Sequence, residues 1–227
     1  MSDRDTANAL RFGLKTFLKP WTKKLGPAEA LFRQGENGDT LIVVLEGRVF
    51  LTANWDGREV IVDVIDEGQV LGERSLLNDE PHSRFFGARS DGPVLYAEFR
   101  RDQFDVMEKQ NAQMCLALLR MTLRNAVDRL MRSDHLVRVL KSTDIVERLV
   151  YLILHFAEFR GRQGETGTEI YLPVPTLRYY LGTVPAKVKN VLAELEKRQI
   201  LVRVSEDDFL LTNQLSLVNA VKDLRSL

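Results

Sequence analysis

The residues whose chemistry is plainest in this sequence are basic and lie toward its C-terminal end. Residues 173–203 carry Arg178, Lys187, Lys189, Lys197, Arg198 and Arg203 against Glu194 and Glu196, a net +4. Cations gathered in this way suit phosphate, which gives affinity for nucleic acid without reading its sequence. Residues 29–80 are the opposite: twelve acids, among them Glu36, Asp39, Glu67 and Glu73, against four arginines, a net −8. The whole chain is neutral, with 32 basic and 32 acidic residues, so the average conceals an acidic N-terminal half and a basic C-terminal segment with different tasks. Other chemistries find little support. There is no phosphate-cradling glycine loop, no metal-ligand spacing and no nucleophile–base set, so no enzyme and no bound metal are expected. His82, His135 and His155 fall in no ligand motif, and His155, on an apolar helix, reads as a core or boundary histidine. The one cysteine, Cys115, can form neither an internal disulfide nor a four-thiolate cluster.

The elements that must position these residues can be read from period and punctuation. No apolar run reaches the ~18 residues of a membrane span, and Met1 to Lys24 lacks a secretory h-region, so a cytoplasmic protein is expected. Residues 1–24 read as a helical lead-in with Leu10, Leu14 and Phe17 at helical spacing. From Ala28, β-branched runs at Thr40–Leu45, Arg48–Leu51, Val60–Val64, Gln69–Leu71 and Val94–Glu98 alternate with turns at 35–38, 46–47, 56–57, 67–68 and 91–92. Strands every ~8–12 residues predict an antiparallel sandwich or jelly-roll barrel.

From Phe104 the period becomes helical. Leu116, Leu123, Leu130 and Val137 recur every seven residues, with Leu119, Ala126, Ser133 and Leu140 three after each: a seam for a second copy of the chain. Met114, Leu118, Met121 and Val127 flank it and are expected to pack on the barrel. The alternative is a single core helix of a monomer. Ser142-Thr143-Asp144 predicts a helix start before the apolar stretch Ile145 to Phe159. Two further helices about Gly182, then strands at Ile200–Val204 and Phe209–Leu211, give the layout of a winged helix-turn-helix.

In this order and spacing the sequence resembles the family of the cyclic-AMP receptor protein and the fumarate–nitrate regulator, over about Leu31 to Thr212. The marks are Phe32-Arg33-Gln34-Gly35-Glu36, Leu45-Glu46-Gly47-Arg48-Val49, Gly72-Glu73, Asp144-Ile145-Val146-Glu147-Arg148-Leu149, and the passage from Leu192 to Leu201. Leu71-Gly72-Glu73-Arg74-Ser75-Leu76-Leu77 followed by Ser83-Arg84-Phe85-Phe86-Gly87-Ala88 is similar to the cyanobacterial nitrogen-control branch (NtcA). That resemblance implies 2-oxoglutarate as effector, held by Leu71, Gly72, Glu73, Arg74, Arg84, Arg129 and Asp134. Arg84 and Arg129 would grip a dicarboxylate and Gly72 would offer a backbone N–H. Glu73, however, replaces an apolar residue and would repel a dianion, and Asp134 is one methylene shorter than the branch's Glu.

The receptor branch implies a cyclic nucleotide instead. Gly72-Glu73 matches its ribose-binding pair, His82-Ser83-Arg84 carries its phosphate chemistry in shifted order, and Ser133 stands where a Thr touches the base. Both effectors stay open, as does an effector-independent chain. The plain alternative for Arg84 is an ion pair with a nearby acid such as Glu73. The iron–sulfur branch's N-terminal cysteine cluster is absent.

The family's reading helix has a Ser or Cys cap, then an Arg and an acid, then an Arg one turn on. Here Thr183 is the cap, and Pro185, Ala186 and Asn190 stand in the three reading positions. Lys187 and Lys189 are expected on phosphates, Thr183, Lys187 and Asn190 near bases, and Arg178, Tyr179 and Tyr180 on the backbone. The operator should be non-standard, with any two-fold half-sites about one helical turn apart.

The expectation is therefore an α+β chain: a jelly-roll, cyclic-nucleotide-binding-like sensor at 1–103, a dimerisation helix at 104–141 and a winged helix-turn-helix at 142–227. Its function would be an effector-gated homodimeric transcription regulator, an activator, with Leu116, Leu119, Leu123, Ala126, Leu130, Ser133 and Val137 at the dimer interface. Double-stranded DNA, a second copy and RNA polymerase are the expected partners. The alternative is a protein–protein adaptor that has lost sequence-specific DNA binding.

Overall fold

The computed structural model describes residues 13–55, 57–77, 82–182 and 186–225, except the side chains of Trp55, Arg58, His135, residues 138–140, Val174 and Pro175. The chain divides into two compact units, Met1–Asn54 with Ile61–Asp128, and Trp55–Val60 with Arg129–Leu227.

The first unit is an antiparallel barrel. A short helix α1 (13–18) leads into strands β1 (Thr22–Leu25), β2 (Ala30–Phe32), β3 (Asn37–Gly38), β4 (Thr40–Glu46), β5 (Val49–Trp55), β6 (Arg58–Ile65), β7 (Val70–Leu71), β8 (His82–Ser83), β9 (Gly87–Ser90) and β10 (Val94–Arg100). They form one sheet in the order β1-β10-β4-β7, another in the order β2-β9-β5-β6, and a ribbon of β3 and β8. In β4 all five residues from Leu41 to Leu45 are buried, because both faces of the strand are covered. Leu41, Val43 and Leu45 alternate outward onto a helical layer of Leu14, Leu18, Phe104, Met107, Cys115 and Leu118. From β10, Ala97 and Phe99 join the same cluster. Helix α2 (Arg101–Gln110) follows, and α3 runs from Ala112 to Leu140.

The chain's first strand and the joint between α2 and α3 differ from expectation. Thr22–Leu25 is a strand paired with β10, not the end of a helical lead-in. After Leu18 the chain tightens into a 3₁₀ turn, Lys19–Trp21, which includes Pro20, and becomes extended at Thr22 (ψ 139°). Leu10 lies outside the described residues. The helical period read from Phe104 is interrupted at Asn111, whose extended backbone (φ −155°) ends α2 and whose Oδ1 accepts from the Met114 N–H at 3.1 Å. Leu118 is fully buried and Met114 and Met121 pack beside it, but Val127 is exposed rather than against the barrel.

The second unit contains α4 (Ile145–Phe159), a hairpin of β11 (Arg162–Gln163) and β12 (Thr168–Tyr171), then α5 (Val174–Leu181), α6 (Ala186–Lys197), the wing strands β13 (Leu201–Arg203) and β14 (Asp208–Leu211), and α7 (Gln214–Leu224). Asp144 caps α4 as its position predicts, accepting from the Val146 and Glu147 N–H groups at 2.8 and 3.0 Å. Leu149, Val150, Leu152, Ile153 and Phe156 of α4 build the core with Leu177, Val188, Val191 and Leu195. His155 is buried among them, edge-on to Phe156 and 5.0 Å from the Phe159 ring. Helix α6 ends on Gln199 in the left-handed region (φ +56°). The Gln199 N–H reaches the Glu196 carbonyl and the Ile200 N–H the Leu195 carbonyl, both at 3.0 Å, so two end carbonyls are satisfied.

Three substitutions test these contacts. Leu118→Ala should lower the barrel unit's unfolding free energy by about 3 kcal/mol in a urea melt, through lost burial and a residual cavity. Leu77→Ala, at a side chain 77% exposed, should change it by less than about 0.5 kcal/mol. Gln199→Gly should raise the stability of the winged unit by about 0.5 kcal/mol, because glycine pays no Cβ penalty at that φ.

Candidate effector site and nucleic-acid interface

The expected effector residues of the first unit converge on one guanidinium. Arg84 follows β8 and is 7% exposed. Its backbone is pinned to the 35–38 turn: the Arg84 N–H donates to the Glu36 carbonyl at 2.8 Å and the Gly35 N–H to the Arg84 carbonyl at 2.9 Å. One face of the guanidinium lies 4.5 Å over the Phe32 ring. Nη2 donates to both the carbonyl and the hydroxyl of Thr40, each at 3.0 Å. A Cβ at Gly38 would collide with Nε, and one at Gly72 with Nη1, so both glycines are required for the arginine to lie where it does. Gly72 also takes a left-handed conformation (φ +77°) at the end of β7.

Beyond Gly72 the chain makes a 3₁₀ turn, Glu73–Leu76. Buried Ser75 fixes that turn, its N–H and its hydroxyl both donating to the Gly72 carbonyl at 3.0 and 2.7 Å. Leu71 is buried, and Arg74 is exposed with its guanidinium 5.1 Å from the Phe85 ring. Burial lowers the pKa of Arg84, and the carboxylates of Glu98, Asp39, Glu73 and Glu36 act against that, Glu98 foremost. Its hydrogen bonds nonetheless go to neutral oxygens of Thr40 rather than to Glu73. Burial also lowers the pKa of His82, with Arg74 and Arg84 adding to the effect.

Phe32, Thr40, Ser75 and Glu98 complete this site and were not singled out in the sequence. Phe32 and Ser75 lie within matching motifs; Thr40 and Glu98 arrive through strand register from β4 and β10. Asp39, Thr40 and Glu98 also line an open cavity of about 480 Å³ with Lys23 and Arg100. A second cavity of about 610 Å³, walled by α1, β4 and α3, contains none of the expected effector residues. Arg129, Ser133 and Asp134 belong to the second unit, where Ser133 and Asp134 are exposed.

Along α3 the heptad residues are not buried in the chain. Leu116, Leu119 and Val137 are exposed, Leu123 is 65% and Leu130 71% exposed, and Ala126 and Ser133 are open as well.

In the second unit, α5 and α6 flank Gly182, which ends α5 in the left-handed region (φ +76°). Arg148 braces that end, its Nη2 donating to the Tyr180 and Leu181 carbonyls at 3.3 and 3.4 Å, a cation at a helix C-terminus. Arg178, Lys189 and Asn190 are exposed, and Tyr179 is half-buried against the core. Thr183 and Pro185 lie outside the described residues. Tyr180, expected near the DNA backbone, is instead buried, with its hydroxyl accepting from Arg160 at 3.1 Å. Lys187 donates to the Arg225 carbonyl at 2.9 Å. Lys197 and Arg198 pair with Glu194, Arg198 also with Asp223, and Arg203 with Glu196. Much of the basic excess therefore has an acidic or carbonyl partner within the unit, although Lys197, Arg198 and Arg203 stay exposed alongside Arg178 and Lys189.

Comparison with known proteins places these two units together in other chains. The cyclic nucleotide-binding domain family matches residues 22–111, the barrel and α2. The global nitrogen regulator of Nostoc sp. strain PCC 7120 is 22% identical over 202 residues, 88% of this chain and 89% of that one. A CRP-like cAMP-activated global transcriptional regulator of Mycobacterium tuberculosis is 27% identical over 201 residues, covering 82% and 87%. Among solved structures, the c-di-GMP-responsive global regulator CLP of Xanthomonas campestris shares the fold with a TM-score of 0.70, at 18% identity and covering 89% of this chain and 99% of that one. With the barrel, the heptad helix and the winged unit in this order, the chain is similar over most of its length to these transcription regulators, and its barrel matches the cyclic nucleotide-binding domain family.

Proposed function

We propose that this chain is a homodimeric, DNA-binding regulator gated by a small anion at Arg84, and that the anion is a cyclic nucleotide. The single observation that carries the effector class is the Arg84 guanidinium: nearly buried, cradled by two obligatory glycines, and, among the described residues, hydrogen-bonded to neutral oxygens of Thr40. A cation in that state gains most from an incoming anion. Four carboxylates surround it, so a monoanion fits better than the dianion 2-oxoglutarate. Glu73, beside Gly72, can accept from a ribose hydroxyl, as the receptor branch implies. The relatives' own descriptions, cAMP-activated and c-di-GMP-responsive, are consistent with that class.

The exposed leucine stripe supports a second copy packed along α3, and the exposed Arg178, Lys189 and Asn190 support a DNA face on the winged unit. The operator departs from the family's pattern because Pro185, Ala186 and Asn190 replace its reading residues. Such a protein acts in the cytoplasm, and no described helix is long and apolar enough to cross a membrane. One observation favours the adaptor reading: Lys187, Lys197, Arg198 and Arg203 already bond within the chain.

Thermal unfolding with cyclic AMP, cyclic GMP, cyclic di-GMP and 2-oxoglutarate tests the effector. A true ligand at a hundred times its dissociation constant should stabilise by roughly 2.7 kcal/mol, and Arg84→Met should abolish that shift. Stabilisation that persists in Arg84→Met would place the ligand elsewhere. In light scattering, Leu123→Lys with Leu130→Lys should convert a two-chain mass to a one-chain mass. The same pair should lose any discrete gel-shift complex with genomic DNA at moderate salt. A two-chain wild type that gives no discrete complex would favour the adaptor.

A further inference from the structure

Arg84 is tied to the surface by a short chain of polar groups. The Thr40 hydroxyl accepts from Arg84 Nη2 at 3.0 Å and donates to Glu98 Oε1 at 2.9 Å. The other carboxylate oxygen, Oε2, accepts from Lys23 Nζ at 2.7 Å. Strand register makes this possible: Glu98 of β10 lies opposite Ile42 and Arg100 opposite Thr40, while Lys23 of β1 lies opposite Tyr96. The Glu98 side chain is largely buried and the Lys23 side chain is mostly exposed, so one end of the chain of groups is in the barrel and the other is in water. Both also line the open cavity of about 480 Å³.

We propose that Glu98, acting on Arg84 through the Thr40 hydroxyl, is the internal counter-charge that an anionic effector must outcompete, and that Lys23 sets how strongly it competes. This rests on the reading of Arg84 as the effector contact. The sign is fixed by charge. Glu98 contributes negative potential at Arg84 and weakens any second anion there, while Lys23, bound to the far oxygen, offsets part of that potential. The pair thus works as an affinity control outside the contact shell: Glu98 touches Thr40, the bonding partner of Arg84, and Lys23 touches Glu98, so both are positioning residues. Of the acids acting on Arg84, Glu98 has the largest effect and is joined to it through a single hydroxyl.

The test uses the full chain with cyclic AMP and inorganic phosphate as probes, by calorimetry. Glu98→Gln keeps the shape and an acceptor oxygen but removes the charge, and should tighten both probes by roughly five- to tenfold, the scale of a partly screened charge pair. Lys23→Met should weaken them by roughly threefold, and the double variant should match Glu98→Gln alone. A merely structural role would make Glu98→Gln less stable without tightening anything. If Arg84→Met abolishes binding while Glu98→Gln and Lys23→Met leave it unchanged, the counter-charge is wrong and the effector site stands. A measurement without any ligand decides the case in which neither probe binds. In ¹⁵N NMR, the Arg84 guanidinium protons should exchange at least severalfold faster in Glu98→Gln and in Thr40→Val, and at the wild-type rate in Thr40→Ser. Unchanged exchange in the first two variants would overturn the proposal whether or not Arg84 binds an effector.

Discussion

The barrel is organised around the problem of burying one guanidinium. Arg84 needs a flat apolar face, which Phe32 supplies, and backbone close on two edges, which Gly38 and Gly72 permit. It also needs acceptors for its donors, found at Thr40. Each requirement fixes a strand: Phe32 on β2, Gly38 on β3, Thr40 on β4 and Gly72 after β7. The left-handed Gly72 then sends the chain into the 3₁₀ turn that Ser75 holds. A larger residue at either glycine would push the guanidinium off its neighbours, so the loop sequence and the cation's position are one constraint rather than two.

Charge is distributed on the same economical pattern in the winged unit. A stretch that carries +4 looks like a phosphate grip when read linearly, but its cations are divided between two duties. Lys197, Arg198 and Arg203 clamp α6, the wing and α7 through Glu194, Glu196 and Asp223. Arg178 and Lys189 remain outward. Exposed ion pairs of this sort contribute little stability each, so the same cations stay open to exchange with another anion.

How far the fold was legible depended on whether the signal was local. β4 and α4 could be read because uninterrupted burial and a 3.6-residue period leave direct traces, and Asp144 could be read because capping is settled within three residues. The heptad stripe was visible for the same reason, and Leu116, Leu119, Leu123, Leu130 and Val137 are uncovered among the described residues. What escaped is what strand pairing decides. Thr22–Leu25 reads as helix until β10 offers it an edge, and the short β2, β3, β8 and β9 carry too few residues for a period. Thr40 and Glu98 sit 44 and 14 residues from Arg84 and have no motif to announce them; register alone brings them to it. Tyr180 and Lys187 were read as outward because a helix period does not reveal that Arg160 and Arg225 will claim their polar ends.

The residue that follows α7 has a role out of proportion to its place. Arg225 extends its guanidinium to Asp144 Oδ2 at 3.3 Å and Glu147 Oε2 at 3.0 Å, while its carbonyl receives Lys187. One residue just past α7 therefore fastens the first turn of α4 and the start of α6 at once. Displacing it would release the acidic first turn of α4 and the Lys187 ammonium together. Arg225 is better regarded as a clasp across the unit than as the fringe of a helix.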